Sequence, residues 1–471
     1  MIESNITQKN EQTTTEANVD SKKNEQTTTE AKDCPQRFVM SPLQLPPVMR
    51  ELVSVAPEDF KTATFIACCA PLGCLATRVR FNYPFDQDKH AILLQVIFCA
   101  EQSGGKSFAR FVENTIMQRQ KQRDNKHRRN EQAYRELKQK SPKTEKLPDA
   151  PKTTIVCCPV SISVAQLIKR VDAPVRHFGA PLTLWTFTEE LATATETSKR
   201  AFSNIKSIMR TAYDLGSEYG VDYLSDNSYS ATVDIMYNTM FCTTPSALDD
   251  YMDRKAIEGG NVTRTILYEL DSNLGDEPPI FKTLSETQLL SINATIDKMM
   301  NNTYNDDGSI KEEIFLDMSW LNKTARTWCA NKNTEAIKSG SKSLGTFFKR
   351  CSVSAFRIAS LCYYLYQLEG CGSNQSKSRC KKIYLFMADV ILRGMMKKWG
   401  GKYEEQLTKR QIETTPLRQN LYDTLTKVFT RDQLNECIKK LQLSTTSYVF
   451  LSKWNKKGFI KTIGPNTYEK I

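Results

Sequence analysis

The 471-residue chain has no Cys-x-x-Cys pair and only three histidines, His90, His127 and His177. Its fourteen cysteines therefore lack the paired spacing that tetrahedral zinc or a disulfide framework needs. Cys68-Cys69 and Cys157-Cys158 stand as neighbours inside apolar runs, where cysteine behaves as a small hydrophobe. Cys371 and Cys380 flank a Gly/Ser/Asn/Lys loop, again without metal-ligand spacing. A reduced, cytoplasmic protein without structural zinc is expected. Long apolar runs are missing too. Met1–Asp33 is polar throughout, so no secretory signal is read there. The longest uncharged apolar stretch, Thr62–Thr77, is short for a bilayer and carries Pro71 in its middle. A kinked, buried helix pair is expected there, and no membrane partner.

What is present is an excess of cations. The net charge is +12, so an anionic partner is expected, with nucleic acid the first candidate. The excess is uneven. Up to Gln36 there are four Lys/Arg against seven Asp/Glu, and "KNEQTTTEA" occurs twice, at Lys9–Ala17 and Lys23–Ala31. With so few large apolar residues, residues 1–38 read as a disordered acidic tail. From Lys106 to Lys152, by contrast, 14 Lys/Arg face 6 Asp/Glu. A helix with apolar first turns (Phe108, Phe111, Val112, Ile116) and a basic far end fits this segment. That far end is either a solvated extension or a DNA-facing one.

The segment preceding it, "AILLQVIFCAEQSGGKSF", carries the most specific chemical signal. A buried strand, Ile92–Cys99, runs into a loop, Ala100–Gly105, and Lys106-Ser107 open a helix. Strand, glycine-rich turn and helix N-terminus together form a phosphate cradle, in which lysine reaches the β/γ-phosphates and serine holds Mg²⁺. Ala100, Ser103, Gly104, Gly105, Lys106 and Ser107 are thus the candidate ATP-binding residues. Ala100 replaces the first glycine of GxxxxGK[ST], which is tolerable if its backbone angles are ordinary.

A second apolar run, "LTLWTF", ends in Glu189-Glu190. In such ATPases a strand-end acid holds the Mg²⁺ shell and its neighbour polarises the attacking water. Glu189 is assigned to the metal and Glu190 to the water, although the two roles are exchangeable. At the end of "IMYNTMFCTT", Thr243, Thr244 or Asn238 is placed to sense the γ-phosphate. Arg264, after the glycine pair in "EGGNVTRTILYEL", is either a surface arginine or an arginine finger acting in cis or on a neighbouring subunit.

Strand-like runs at Thr153–Val160, Leu182–Phe187, Ile235–Thr244 and Thr263–Leu270 alternate with helical patterns at Val164–Val171 and Ala192–Tyr213. This predicts an α/β fold with a parallel sheet covered by helices. Beyond Phe281 the pattern turns helical. The last sixty residues read as a winged helix: a helical stripe of Leu421, Leu425 and Val428, a helix capped by Thr430, a cap at Ser444–Ser447 before Tyr448–Lys457 as recognition helix, then "GFIKTIGPNTYEKI" as a hairpin wing. Lys453, Lys456, Lys457 and Lys461 would meet DNA phosphates there, and Asn455 or Ser447 would approach base edges. Such modules also bind proteins.

The order of these pieces resembles the P-loop ATPases of bacterial mobile elements and phages catalogued as domain of unknown function 3987. The matching stretches are "LPPVMRELVSVAPEDFKTATFIACCAPLGCLATRVRF", "VIFCAEQSGGKS", "LWTFTEEL", "CTTP", "EGGNVTRTILYEL" and "FRIASLCYYLYQL". The resemblance covers roughly Ser41 to Gln367. It implies a RecA/AAA+-like core, ATP and Mg²⁺, ring assembly of identical subunits, and helicase-like work on single- or double-stranded DNA in replication or mobilisation. Larger relatives carry a primase-like region, so a separately encoded primase is an expected partner. The expected organisation is tail (1–38), helical preamble with ATPase core (39–285), helical region (286–410) and winged helix (411–471). Two alternatives stay open: an ATP-controlled DNA-binding loader or regulator without unwinding activity, and a degenerate ATPase acting as a scaffold.

Overall fold

Tyr237–Thr243 and Gln95–Cys99 have every side chain buried, which is how a strand covered on both faces of a sheet must read. They are two of the four central strands in a computed structural model of the chain, which describes residues 44–86, 88–142, 146–191, 206–221, 230–270, 277–412, 421–441, 443 and 445–471. The expected acidic tail, most of the helix expected at Ala192–Tyr213, and Ser444 of the expected cap lie outside these residues.

The chain opens with helices α1 (Pro47–Ser54) and α2 (Lys61–Leu75), joined through a 3-10 turn at Glu58–Phe60. Here the structure corrects the expected helix pair. α2 continues through Pro71 as one helix, buried along almost its whole length. Tertiary burial on all sides outweighs the one backbone hydrogen bond that proline forfeits. Strands β1 (Val79–Asn82) and β2 (Lys89–His90) then precede β3 (Gln95–Cys99). After β3 come α3 (Phe108–Lys140), α4 (Val164–Phe178) and β4 (Leu184–Thr188). A hairpin, β5 (Glu218–Val221) and β6 (Ala231–Asp234), leads to β7 (Tyr237–Thr243). Short helices α5 (Pro245–Tyr251), α6 (Arg254–Glu258) and α7 (Asn261–Arg264) connect it to β8 (Thr265–Glu269).

The central sheet is parallel, in the order β4-β7-β3-β8. The segment expected as a strand at Thr153–Val160 meets it through one parallel bridge, Cys157 to Trp185 of β4. Helix α2 lies against β3, β4 and β7. The helical region follows as α8 (Glu286–Thr303), α9 (Ser319–Ser339), α10 (Lys342–Leu368), α11 (Asn374–Met395) and α12 (Gly401–Ile412), with β9 (Ile314–Phe315) paired to β1. One hydrophobic core runs from Leu45 to Trp399 through sheet and helices alike. The approach of α11 to β8 is close enough to need Gly394, where a Cβ would sit 2.7 Å from the Leu267 carbonyl oxygen. None of the described helices is long and apolar enough to cross a membrane.

The middle of α3, from Arg123 to Glu131, is tied to the rest of the protein. Buried Asp124 accepts from the amides of Val156 and Cys157, Arg123 donates to Thr154 Oγ1, and Arg128 donates to the Cys157 carbonyl. His127 sits between Arg123 Nη1, 2.9 Å from its Nε2, and the Thr154 amide, 3.3 Å from its Nδ1. Burial and the neighbouring Arg123 and Lys126 push its pKa down to about 4. The folded state thus binds this proton less readily than the unfolded chain, whose histidine titrates near 6.5. Stability contributed by the neutral ring is complete above about pH 6.5 and is lost as pH falls towards 4. Thermal unfolding measured between pH 7 and pH 4 should show this slope, and His127→Gln should flatten it. An unchanged slope in that variant would assign it to other groups.

The C-terminal elements have a core of their own, built from Leu421, Leu425, Phe429, Leu434, Phe450 and Trp454 with their neighbours. Helix α13 (Arg431–Lys440) starts with a capping box in which Thr430 and Gln433 satisfy each other's backbone amides. Helix α14 (Ser447–Lys456) follows. Strands β10 (Val428–Thr430), β11 (Ile460–Gly464) and β12 (Thr467–Lys470) form an antiparallel sheet in the order β10-β12-β11. Val428, expected on the helical stripe with Leu421 and Leu425, instead opens β10 and is exposed, because pairing with Glu469 of β12 claims its backbone. Asn466 takes a left-handed φ of 55° in the β11–β12 turn.

Candidate functional site

The chain leaves β3, crosses to β4 two positions away, returns to β7 between them, and then passes to β8 on the other side of β3. The loop after β3 therefore lies where the strand order reverses, the place in an open parallel sheet at which adjoining connections diverge and leave a crevice. Register puts Cys99 level with Thr243 of β7 and Glu269 of β8, so the loop and these strand ends share one edge.

In the loop, Ser103 and Gly105 adopt left-handed φ values of 64° and 73°. A Cβ on Gly105 would also lie 2.7 Å from Pro279 and 2.8 Å from Phe60. Ala100 keeps ordinary backbone angles, as its substitution for glycine requires. Its methyl group fills the space beneath Gly104, where an added Cβ would approach to 2.9 Å. The small residue and the glycine have in effect shared one space between the first and fifth positions of the loop. The amides of Gly104 and Gly105 bond back to Glu101 and Ser103. Lys106 Nζ donates to the carbonyls of Ala100 and Glu101 at 2.8 and 2.6 Å, so its ammonium lies across the loop. Ser107 stands at the N-cap of α3, exposed and making no cap hydrogen bond with its side chain.

Glu189 and Glu190 follow β4 at the same edge, since Thr188 is level with Phe241, two residues before the end of β7. Glu189 pairs with Arg110, one turn into α3, while Glu190 is exposed. Thr243 is buried at the end of β7, and Thr244 caps α5 with its hydroxyl 3.4 Å from Ser246. Asn238 is at the far end of β7. It donates to the carbonyls of Ala70 and Ile92 and accepts from the Leu94 amide, which occupies it in joining α2 to the sheet.

Arg264 does not join this group. It ends α7 just before β8, and a five-residue parallel strand separates it from the loop edge by about 16 Å. There it donates to the Gly260 carbonyl at 3.1 Å and lies over Tyr213, beside Arg350 and Arg357, which share Asp214.

Two features next to the loop were not read from the sequence. Phe60, Phe108, Phe111 and Phe281 form an aromatic cluster with ring centroids 5.6 to 6.3 Å apart. A pocket of about 510 Å³ opens beside Ser107, lined by Phe108, Phe111, Thr115, Phe281 and Leu289. The segment carrying Phe281 is pinned by the Lys282 amide on the Val55 carbonyl. Charges also gather at the strand ends: Cys99 is pushed up to about 11 by burial and by Glu269, against Lys398 and Lys106. Glu269 pairs with Lys397, and Asp249 with Lys398 and Lys402. No short motif flags these residues, because each enters from a different part of the chain.

In the C-terminal unit, Lys453, Asn455, Lys456 and Lys457 are exposed on or just after α14, and Lys461 is exposed on β11. Tyr448 and Val449 are exposed at the start of α14, and Ser447 is buried beside Arg431. No protein-family model matches the chain, and no curated protein matches it.

Proposed function

We propose that this chain is an ATP-hydrolysing, DNA-acting protein of the helicase-like kind, with a P-loop core and a C-terminal winged helix. The observation that carries the reading is the meeting of a strand–loop–helix bearing Lys106-Ser107 with an acidic pair, Glu189-Glu190, at the switch point of a parallel sheet. The parts suit ATP and Mg²⁺. Among the described residues the backbone N–H groups of Lys106 and Ser107 bond no backbone acceptor, which suits them to phosphate oxygens at the start of α3. Lys106, now resting on loop carbonyls, would exchange them for a stronger charge-assisted contact. Ser107 Oγ and Glu189 would hold the metal, which stabilises charge on the phosphates. Glu190 would orient water, and Thr244 would contact the γ-phosphate. The pocket beside Ser107, where Phe108, Phe111 and Phe281 line a wall shared with polar Thr115 and Lys282, would take the base.

The exposed lysines of α14 and β11 suit phosphate contacts, and the helix–hairpin order supports the winged-helix reading. Arg264 at the opposite edge cannot serve this chain's own loop, so a finger role would require a neighbouring subunit in a ring. The second reading, an ATP-controlled loader or regulator, is favoured by one contact: Glu189 is engaged by Arg110, as in a resting switch. Work in a bacterial mobile element or phage, alongside a separate primase, follows from the family resemblance alone.

The test is ATP hydrolysis by the purified chain with and without single-stranded DNA, followed by a strand-separation assay. Turnover that rises with DNA and is coupled to unwinding is the expected result. ATP and DNA binding with slow turnover and no unwinding would favour the switch. Absence of ATP binding would refute both.

A further inference from the structure

Helices α3 and α4 enclose a cleft of about 780 Å³, away from the loop and from the C-terminal unit. Arg128, Arg135 and Lys138 of α3 and Lys169, Arg170 and Arg176 of α4 line it, and Glu131 is the one carboxylate among its lining residues. Glu131 is already committed, for both its oxygens accept from Arg170, at 2.5 and 2.9 Å, and one also accepts from Thr153. Arg176 is likewise paired, with Asp172 at 2.9 Å. Six lining cations still stand against these two carboxylates, so the cleft keeps a positive excess. Burial first, then Arg176 and Lys152, depresses the pKa of His177 at the same cleft, with Asp172 opposing.

A basic helix extension would normally be solvated and mobile, with no defined surface. This one is fastened at its base. Arg123, Asp124, Arg128 and Glu131 tie little more than two turns of α3 to the Thr153–Cys157 segment and to α4. Arg135 and Lys138 follow on the exposed turns just beyond, beside the fixed base of the cleft. Tyr134, half-buried on α3, is the one tyrosine among the lining residues.

We propose that this cleft binds a single strand of nucleic acid, with phosphates on the Arg/Lys walls and a base stacked on Tyr134. Cationic groove plus aromatic platform is the pairing that single strands require, since only an unpaired base offers its face. Guanidinium forks match phosphate oxygens in pairs. An acidic peptide would satisfy the cations but has no use for the ring. The site rests on the reading of the chain as nucleic-acid-acting, and it adds a strand-binding surface on the same helix that begins at the phosphate loop. At 1.5 Å per residue, Tyr134 lies about 39 Å along α3 from Phe108.

The test uses the full chain and a fluorescein-labelled oligothymidine of about 20 nucleotides, read by anisotropy over a salt series. Arg135→Ala with Lys138→Ala should weaken binding by about 10-fold or more at low salt and reduce the log–log salt slope by about 1.4. Tyr134→Ala should weaken it by about 5- to 100-fold while leaving the slope unchanged. A strand carrying 4-thiothymidine should photo-crosslink to the peptide containing Tyr134. Lys323→Ala with Lys338→Ala, two exposed cations of α9 outside both sites, is the control and should bind the oligothymidine as the wild type does. Wild-type affinity and slope in the cleft variants would overturn the proposal, as would failure of the wild type to bind the strand. Polyglutamate competing as well as the oligonucleotide, with no crosslink, would assign the cleft to an acidic peptide instead. ATP hydrolysis in the same preparations separates the two readings: turnover without strand binding removes the cleft only, and strand binding without turnover removes the ATPase only.

Discussion

Lys106→Ala is expected to lower kcat for ATP hydrolysis by about 10²- to 10³-fold, the loss typical of deleting one preorganised group that stabilises developing charge. Lys106 is the one cation whose ammonium lies across the loop, on the carbonyls of Ala100 and Glu101. Removing it leaves no other side chain of the loop with positive charge. The fold should survive, because the ammonium makes contacts only within the exposed loop and the backbone turn is set by Ser103 and Gly105. Unfolding midpoints of variant and wild type should therefore agree. Glu190→Gln should also abolish turnover while retaining ATP binding, since a neutral amide cannot polarise water as a carboxylate does. Glu189→Gln, by contrast, should weaken the Mg²⁺ dependence. If the effects of the two glutamate variants are exchanged, the two roles are exchanged. Turnover at the wild-type rate in both Lys106→Ala and Glu190→Gln would mean that the loop does not bind nucleotide.

Asp124→Ala is expected to destabilise the protein by about 3–5 kcal/mol. The side chain is 1% exposed, and its Oδ2 accepts from the Val156 amide at 3.0 Å and the Cys157 amide at 2.6 Å. Its Oδ1 accepts from Gln120 at 2.8 Å. Burial raises its pKa, while the hydrogen bonds from Cys157, Gln120 and Val156 pull the other way. Alanine would leave two buried backbone amides and the Gln120 amide without acceptors, each costing about 1–3 kcal/mol. Asp124→Asn is the discriminating partner. Its carbonyl still serves both backbone amides, and a rotated Gln120 serves its NH₂, so most of the loss should be recovered. Chemical denaturation followed by circular dichroism measures both. A loss under about 0.5 kcal/mol in the alanine variant would show that water satisfies these amides and that α3 is not anchored there.

Much of the fold was legible because its signals are local. β3 was expected to run into the loop at Cys99, and it does; β4, β7 and β8 fall within the runs at Leu182–Phe187, Ile235–Thr244 and Thr263–Leu270 to within one residue. A fully buried strand has a continuous apolar run, and its end is marked by the first polar residues. The C-terminal hairpin was equally legible, through alternation and the Gly-Pro-Asn turn. Thr153–Val160 was less so, since only Cys157 completes a bridge. The short strands β1, β2, β5, β6 and β9 escaped notice because two to four residues give a period too little length to show.

By itself, the sequence determined the contiguous units: the buried strand, the glycine turn and Lys106 at a helix start, and a capped helix pair followed by a hairpin. Each depends on residues a few positions apart, within reach of one turn or one pleat. Tertiary structure alone decided the neighbours. Strand order carried Glu189-Glu190 to the loop's edge and left Arg264 at the opposite one, although both follow the loop in sequence and both looked suited to it. Packing brought Phe60 and Phe281, 221 positions apart, to within 5.7 Å beside Gly105. It also turned a basic helix extension into one wall of a cleft. The physical reason is common to all three. Periodicity reports which side of an element is buried, whereas the partner that buries it is chosen by the collective packing of faces from the whole chain.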